Sequence, residues 1–250
     1  MKALILAAGY ASRLYPLTKK YPKPLLEVKG RPIINYIIDK IGLVGSINEI
    51  YIVTNSKFIL EFRKWAKTVS SSKKITLVDD LTKNNQDRLG AIGDINFVIK
   101  KKKIQGDLLV VGGDNLFSGS LQRFLDVYNK NNASTSLGLY RLKRKKDASR
   151  YGVVGLDKLN RVISFKEKPK QPESNLVAMC LYYISKNYLN LINVYMQDEK
   201  RKVDEVDATG SYIAWLKDKV DVYGYVFSGS WFDIGDYKYL NAAKEIFTNN

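Results

Sequence analysis

Arg13 and Lys23 are the residues of this chain whose setting most suggests chemistry. A short apolar run, Ala3–Ala8, ends at Gly9, turns through Tyr10, Ala11 and Ser12, and delivers Arg13. Lys23 follows the stiff segment Tyr15-Pro16-Leu17-Thr18 and stands between Pro22 and Pro24. Gly9 lets the backbone meet a ligand with no Cβ in the way. The amides from Ala8 to Ser12 can point at phosphate oxygens as a small anion nest, and a guanidinium offers a planar fork of donors that matches phosphate. A strand feeding such a loop, with two cations beside it, suits the handling of a nucleoside triphosphate. The loop is neither a Walker loop nor a dinucleotide fingerprint, because the GK[ST] ending and the G-x-G-x-x-G spacing are both missing. Taken alone, strand, glycine, turn and arginine also fit an ordinary α/β loop.

Carboxylates complete the picture. Asp114 follows the apolar run Asp107–Val111 and Gly112-Gly113, at the carboxyl end of a strand, where open α/β sheets bind ligands. Asp233 follows Trp231-Phe232 and precedes Ile234-Gly235. Two carboxylates far apart in sequence, each at a strand end, can hold one Mg²⁺ that also touches phosphates; either one alone reads equally well as a turn or cap residue. Glu167-Lys168-Pro169 ends a third strand. A lysine there can neutralise a phosphate and a glutamate can accept from hydroxyls, although the plain reading of such a run is a surface charge pair before a proline turn. Gly152 lets the chain pass close to a ligand, or simply starts a strand. Asp204, Glu205 and Asp207 precede a helix and read as a favourable dipole interaction rather than a metal site. Tyr223, Tyr225, Trp231 and Phe232 read as core.

These residues need a scaffold, and the 250-residue chain alternates strand and helix to supply one. Strands are expected at Lys2–Leu6, Glu49–Thr54, Lys74–Val78 and Asp107–Val111. Helices are expected at Pro32–Val44, from Ser56 as a cap to Lys67, at Arg88–Lys101 and at Ser120–Asn129. Such alternation means βαβ units on a mostly parallel sheet. The second half changes character, with strands at Thr135–Leu142, Gly152–Leu156, Val162–Phe165, Val177–Ile184 and Val220–Phe227. Its helices are expected at Lys186–Tyr195, Val206–Leu216 and Tyr237–Phe247. The expectation is an α/β, Rossmann-like three-layer fold with a smaller mixed α+β lobe. It forms a single domain, 1–250, with a nucleotide-binding half (1–132) and an acceptor-binding half (133–250).

Composition narrows the chemistry further. With no histidine, the usual general base and the commonest transition-metal ligand are absent. One cysteine, Cys180, excludes an intramolecular disulfide and a cysteine metal cluster. Any metal should therefore be a hard, oxygen-bound ion. The formal charge of +16 either attracts anions or reflects a lysine-rich surface, with Lys100–Lys103 and Lys143–Lys146 as solvated ends of elements. No apolar run approaches the roughly 20 residues that span a bilayer, and Ala3–Ala8 is too short for a signal-peptide core. The chain is expected in the cytoplasm, away from membranes.

The segment LAAGYASRLYPLT, followed by PKPLLEVKGRPII, resembles the signature of the sugar-1-phosphate nucleotidylyltransferases. These include glucose-1-phosphate thymidylyl- and uridylyltransferases and the related phosphocholine cytidylyltransferases. The resemblance runs through nearly the whole chain: Gly90, GGDN at Gly112–Asn115, YGVV at Tyr151–Val154, EKP at Glu167–Pro169, SNL at Ser174–Leu176 and WFDIGD at Trp231–Asp236. Six motifs in one order are far more specific than any one. Ala11 stands where the family usually has a second glycine.

The resemblance implies a role for each position. Leu6, Ala8, Gly9, Tyr10, Ala11, Ser12, Arg13 and Gly90 would bind nucleotide. Arg13, Lys23 and Asp114 would be catalytic, and Asp114 and Asp233 would hold Mg²⁺. Gly152, Glu167, Lys168 and Asn175 would bind the sugar phosphate. The implied reaction joins a nucleoside triphosphate and a sugar 1-phosphate into a nucleotide sugar and pyrophosphate, as in making cell-envelope polysaccharide precursors. The partners are those two substrates, with no nucleic acid, in a monomer or small homo-oligomer. Thymidylyltransferases of this family place a Gln before a P-x-G segment, and here that stretch reads Asp79-Asp80-Leu81-Thr82. The base therefore stays open among dTTP, UTP and CTP. The acceptor also stays open, because Cys180 replaces the small residue that precedes Leu-Tyr in relatives. Two alternatives are a cytidylyltransferase acting on phosphocholine and a non-catalytic nucleotide-sugar sensor. A nucleic-acid binder, suggested only by the charge, lacks a recognition-helix or aromatic RNA motif.

Overall fold

The computed structural model describes residues 1–129, 135–197 and 209–247. The expected boundary between halves at 132/133 and the cluster Asp204, Glu205 and Asp207 lie outside them. In chain order the strands are β1 (Lys2–Leu6), β2 (Glu27–Val28), β3 (Arg31–Pro32), β4 (Glu49–Thr54), β5 (Lys74–Asp79), β6 (Leu108–Gly112), β7 (Asn115–Phe117), β8 (Thr135–Arg141), β9 (Gly152–Leu156), β10 (Val162–Glu167), β11 (Leu176–Ile184), β12 (Val222–Phe227) and β13 (Trp231–Asp233). The helices are α1 (Ile33–Gly42), α2 (Ile59–Ala66), α3 (Gly90–Lys102), α4 (Leu121–Asn129), α5 (Leu189–Met196), α6 (Thr209–Leu216) and α7 (Tyr237–Ile246).

Among the described residues a nine-stranded sheet runs β10-β9-β11-β6-β1-β4-β5, with β8 joined to β11 and β12 to β8. The β6-β1-β4-β5 ladder is parallel. Its strands read as unbroken apolar runs because helices cover both faces. In β1, Ala3 and Ile5 face one layer and Leu4 the other, all 0% exposed. Helices α1, α2 and α4 pack on the first face through Ile34, Ile37, Phe62 and Phe124. Helices α3, α5 and α6 pack on the second through Ile92, Ile95, Ile192, Tyr195 and Tyr212. Each such side chain contributes about 1.5–3 kcal/mol on burial. The fold is the expected three-layer α/β arrangement around a mixed sheet.

β11 joins the two styles of sheet. It lies antiparallel to β6 at Leu181–Ile184, and Val177 reaches β9. Its register with β8 shifts between Ala178 and Tyr182, a bulge centred near Cys180. Bulges re-aim side chains beside sites, and this one bears on the cleft described below. A third, smaller core gathers Leu14, Val28, Ile33, Tyr36, Leu116, Ile234, Leu240, Ala243 and Phe247. It pins the segment after Gly9 to α1 and α7.

Two details differ from the sequence reading. The N-cap of α2 is Phe58 and no side chain caps it: Asn55 Oδ1 accepts from Phe58 N at 3.1 Å in the turn before the helix, while Ser56 Oγ donates to Asp79 Oδ1 at 2.8 Å. The helix consequently starts at Ile59. The short pairs β2–β3 and β7–β13 were not anticipated, since two or three residues carry no readable period.

Candidate active site

Lys23 sits in a tight turn, Lys23–Leu25, between two prolines that fix its entry and exit. Its Nζ donates to Asp114 Oδ2. Asp114 reaches that point because Gly113 N donates to Leu6 O at 2.9 Å, bringing the end of β6 against the end of β1. A Cβ on Gly113 would lie 2.7 Å from that same oxygen, so the position requires glycine. Asp233 ends β13, opposite Asn115 in the β7–β13 ladder, and Ile234 N donates to Asp114 O at 3.2 Å. The two aspartates thus face each other, Asp114 from the turn between β6 and β7 and Asp233 from the end of β13.

The electrostatics are those of a site built for positive charge. Burial pushes the Asp233 carboxyl up and the charge of Asp114 pushes it further, to about 7, against the pull of Lys23. Burial also acts to raise Asp114, but the Lys23 ammonium holds it below the usual carboxylate range. Burial works against the Lys23 ammonium, and Asp114 and Asp233 more than reverse this, leaving its pKa raised. Two carboxylates crowded until one resists ionisation are a donor set that a hard cation relieves. Among the described residues no cluster of three or more His, Cys, Asp or Glu could enclose a metal. The pair accordingly fits an ion such as Mg²⁺, which takes one or two carboxylates and completes its shell with water and phosphate oxygens.

Two clefts meet at this pair. The larger, about 530 Å³, is lined by Arg13, Asp233, Arg150, Gly152, Glu167 and Lys168 among others. The smaller, about 230 Å³, is lined by Leu6, Ala8, Gly9, Asp80, Arg88, Gly90 and Asp94 among others. Lys23, Asp114 and Cys180 border both.

The loop after β1 is held from behind. Asn55 Nδ2 donates to Ala8 O at 2.7 Å, and Thr18 Oγ1 donates to Ala11 O at 2.7 Å. At Gly9 a Cβ would meet open space, so the missing side chain leaves room on the cleft side. Tyr10, Ala11 and Ser12 do not line the smaller cleft. Tyr10 is buried, sharing a hydrogen bond with Thr82 Oγ1 at 3.0 Å, and braces the loop. Ala11 is in the left-handed conformation, φ 47° and ψ 44°, which glycine adopts freely and alanine does not. Ser12 and Arg13 lie in the turn that follows, Ser12–Leu14, and Arg13 faces the larger cleft.

In the wall of the larger cleft, Gly210 makes room for Glu167 and Gly152 for Phe165. A Cβ on Gly210 would lie 1.9 Å from Glu167 Oε2, and one on Gly152 2.3 Å from Phe165. Lys168 is exposed, 3.4 Å from Glu167 Oε1, and holds φ 42°. Ala11, Lys168 and Cys180, at φ 47°, 42° and 52°, are three strained non-glycine residues around one site. Asn175 is not brought to either cleft: its Nδ2 donates to Leu142 O at 2.7 Å and its Oδ1 accepts from Arg141 at 3.1 Å, tying β11 to β8.

Several lining residues escaped sequence reasoning. Arg150 pairs with Asp236 at 2.7 Å and lies over the Tyr239 ring. Thr209 Oγ1 accepts from Tyr182 at 2.8 Å. Asp80 and Asp94 are both buried polar residues of the smaller cleft. Arg150 adjoins the YGVV run, and Asp80 stands in the stretch Asp79–Thr82. Thr209 had no local signal. Trp231 is buried as expected, yet its edge reaches the larger cleft.

A strand–glycine loop, a lysine on an aspartate and a second aspartate between two clefts define a nucleotidyl transferase, and the chain belongs to that family: the family model described as nucleotidyl transferase matches residues 2–250. Among its relatives is the bifunctional protein GlmU of Methanococcus aeolicus, 29% identical over 255 residues, covering 100% of this chain and 55% of that protein. Another, from Sulfolobus acidocaldarius, provisionally named a mannose-1-phosphate guanyltransferase, is 30% identical over 247 residues and covers 96% of this chain and 62% of that protein. The chain therefore spans little more than half the length of these relatives. A solved structure of UDP-glucose pyrophosphorylase complexed with UDP-glucose superposes with a TM-score of 0.83 at 19% identity, covering 98% of this chain and 97% of that one. Among the described residues no helix is long and apolar enough to cross a membrane.

Proposed function

We propose that this protein transfers a nucleoside monophosphate from a pyrimidine nucleoside triphosphate (dTTP, UTP or CTP) to a sugar 1-phosphate, releasing pyrophosphate. The observation that carries the reading is Lys23 bonded to Asp114 where two clefts join. The smaller cleft, with Gly9 and Gly90, takes the nucleoside. The larger, with Gly152, Glu167 and Lys168, takes the sugar phosphate.

The attacking phosphate oxygen is already ionised at neutral pH, so the reaction needs no general base, in keeping with a chain without histidine. Catalysis reduces to alignment and charge neutralisation at the α-phosphate. Arg13 binds the leaving β- and γ-phosphates. Lys23 draws the α-phosphate and the incoming phosphate together, moving off Asp114 as it does so. Lys168 anchors the acceptor phosphate while Glu167 accepts from sugar hydroxyls. Asp114 and Asp233 would hold Mg²⁺, which supplies further neutralisation of phosphate charge when bound. We place the enzyme in the cytoplasm, acting on these two substrates.

A second acceptor class has its own support: Tyr151, Phe165, Tyr182 and Trp231 line the larger cleft beside Glu167, a setting that attracts a quaternary ammonium such as that of phosphocholine. One experiment tests both. Coupled pyrophosphate release is measured for each NTP against common sugar 1-phosphates and phosphocholine. Release with a sugar 1-phosphate supports the proposal, release with phosphocholine alone supports the second reading, and release with none sinks both.

A further inference from the structure

Asn115 closes the Gly112-Gly113-Asp114-Asn115 run, is 2% exposed, and has no part in the chemistry above. Its amide is spoken for at both ends. Oδ1 accepts from Trp231 Nε1 at 2.8 Å. Nδ2 donates to Met179 O at 2.5 Å and to Cys180 O at 3.3 Å. Turning the amide over would set NH₂ against an indole N–H and oxygen against two carbonyls, so one orientation is fixed. The first bond leads to Asp233, which shares β13 with Trp231 and lies across the ladder from Asn115 itself. The other two lead to the β11 bulge, where Cys180 is held at φ 52° and forms the wall that both clefts share. Asp114 is the preceding residue in the chain. A strained conformation persists only where its surroundings over-determine it, and here a buried amide grips the carbonyl on each side of the strained peptide.

We infer that Asn115 is a positioning residue for the transfer reaction: through Trp231 and the β11 carbonyls it sets the spacing of Asp114 and Asp233 and the shape of the wall between the two substrates. The inference rests on the proposed function. Displacement of about 1 Å near reacting groups costs roughly 10²-fold in rate. The loop Gly9–Arg13, to which none of these three Asn115 bonds runs, should keep its hold on the triphosphate.

The test uses the full chain with Asn115→Asp, Trp231→Phe and the double variant. Asn115→Asp keeps size and the tryptophan bond but sets a carboxylate against two carbonyls. Trp231→Phe removes one N–H donor. The expectation is folded protein by circular dichroism and NTP affinity by calorimetry within about threefold. Turnover should fall about 100-fold and 10-fold respectively, with the double variant no slower than Asn115→Asp because the two bonds act in series, from Trp231 through Asn115 to β11, and losing either breaks the link. Binding of Mn²⁺, read by its electron paramagnetic resonance signal, should weaken in both single variants. Turnover within threefold of the parent in folded Asn115→Asp, or losses that multiply in the double variant, would overturn the inference. If Asn115→Asp does not fold, Trp231→Phe decides: lower turnover with unchanged NTP affinity supports the inference, and parental turnover overturns it. If the parent itself releases no pyrophosphate, the proposed function fails, and Mn²⁺ binding by Trp231→Phe then decides the inference alone, with parental affinity overturning it.

Discussion

Lys23 Nζ donates to Asp114 Oδ2 across 91 residues of sequence, so a cation suited to phosphate rests on a carboxylate suited to a metal. Each keeps the other charged in a place where burial opposes both charges. An arriving triphosphate and its cation would compete for the two partners, which lets the pair act as an internal stand-in for substrate.

That relationship makes Lys23, Asp114 and the nearby Arg13 sensitive to replacement. Lys23→Ala, Asp114→Ala and Arg13→Ala should each lower pyrophosphate release by about 10²–10³-fold, the range for losing one group that meets transition-state charge. Arg13 is exposed and Lys23 and Asp114 half-buried, so circular dichroism should be unchanged. Near-normal turnover in any folded variant would remove that residue from the mechanism.

The pH dependence follows from Asp233. Its carboxyl titrates at about 7 in the fold against 3.8 in an unfolded chain. Between those values the folded state binds the extra proton, so this group's contribution to stability declines as pH rises from about 4 to 7. A divalent cation requires the ionised form. Added Mg²⁺ should therefore raise the melting temperature more at pH 8 than at pH 6, measured by scanning fluorimetry. An equal rise at both values would take Asp233 out of the cation site.

Ala11 invites the opposite kind of change. A left-handed alanine costs about 1–2 kcal/mol, and glycine gives back about 0.5–1 kcal/mol through its freer unfolded chain. Ala11→Gly should be neutral or stabilising by up to about 1.5 kcal/mol in urea unfolding, unlike most alanine-to-glycine changes. A loss of about 1 kcal/mol or more would show the loop has another reason for alanine.

Asn175 should prove structural. Its two hydrogen bonds to β8 and the residue after it predict a loss of about 1–3 kcal/mol in Asn175→Ala. The acceptor KM should stay within about threefold, whereas Glu167→Gln should raise it about tenfold, the cost of roughly one charged hydrogen bond. Steady-state kinetics with variable sugar phosphate separates the two.

Much of the scaffold was legible because its signals are local. The runs Ala3–Ala8 and Asp107–Val111 announce strands buried on both faces, and Pro22-Lys23-Pro24 announces a turn. The order of motifs puts Lys23 and Asp114 in one site, but their pairing has no signal in the sequence. Local rules failed where a bond spans distant segments. Arg150 with Asp236, Asn115 with Trp231 and Tyr182 with Thr209 join residues 86, 116 and 27 positions apart. Asn175 misled for the same reason: its motif lies beside the site, but its amide is spent on a neighbouring strand.

The third core has a consequence for how the protein comes into being. Leu14 is seated by Ile234, Leu240 and Phe247, and the Tyr237 hydroxyl donates toward Leu14 O at 3.2 Å and Tyr15 O at 3.1 Å. Leu14 and Tyr15 are thus clamped by a residue more than 200 positions later in the chain. A nascent chain can assemble its parallel sheet while the arginine-bearing turn still lacks its seat. A message cut short before Tyr237 would leave the turn that carries Arg13 without the contacts that seat it.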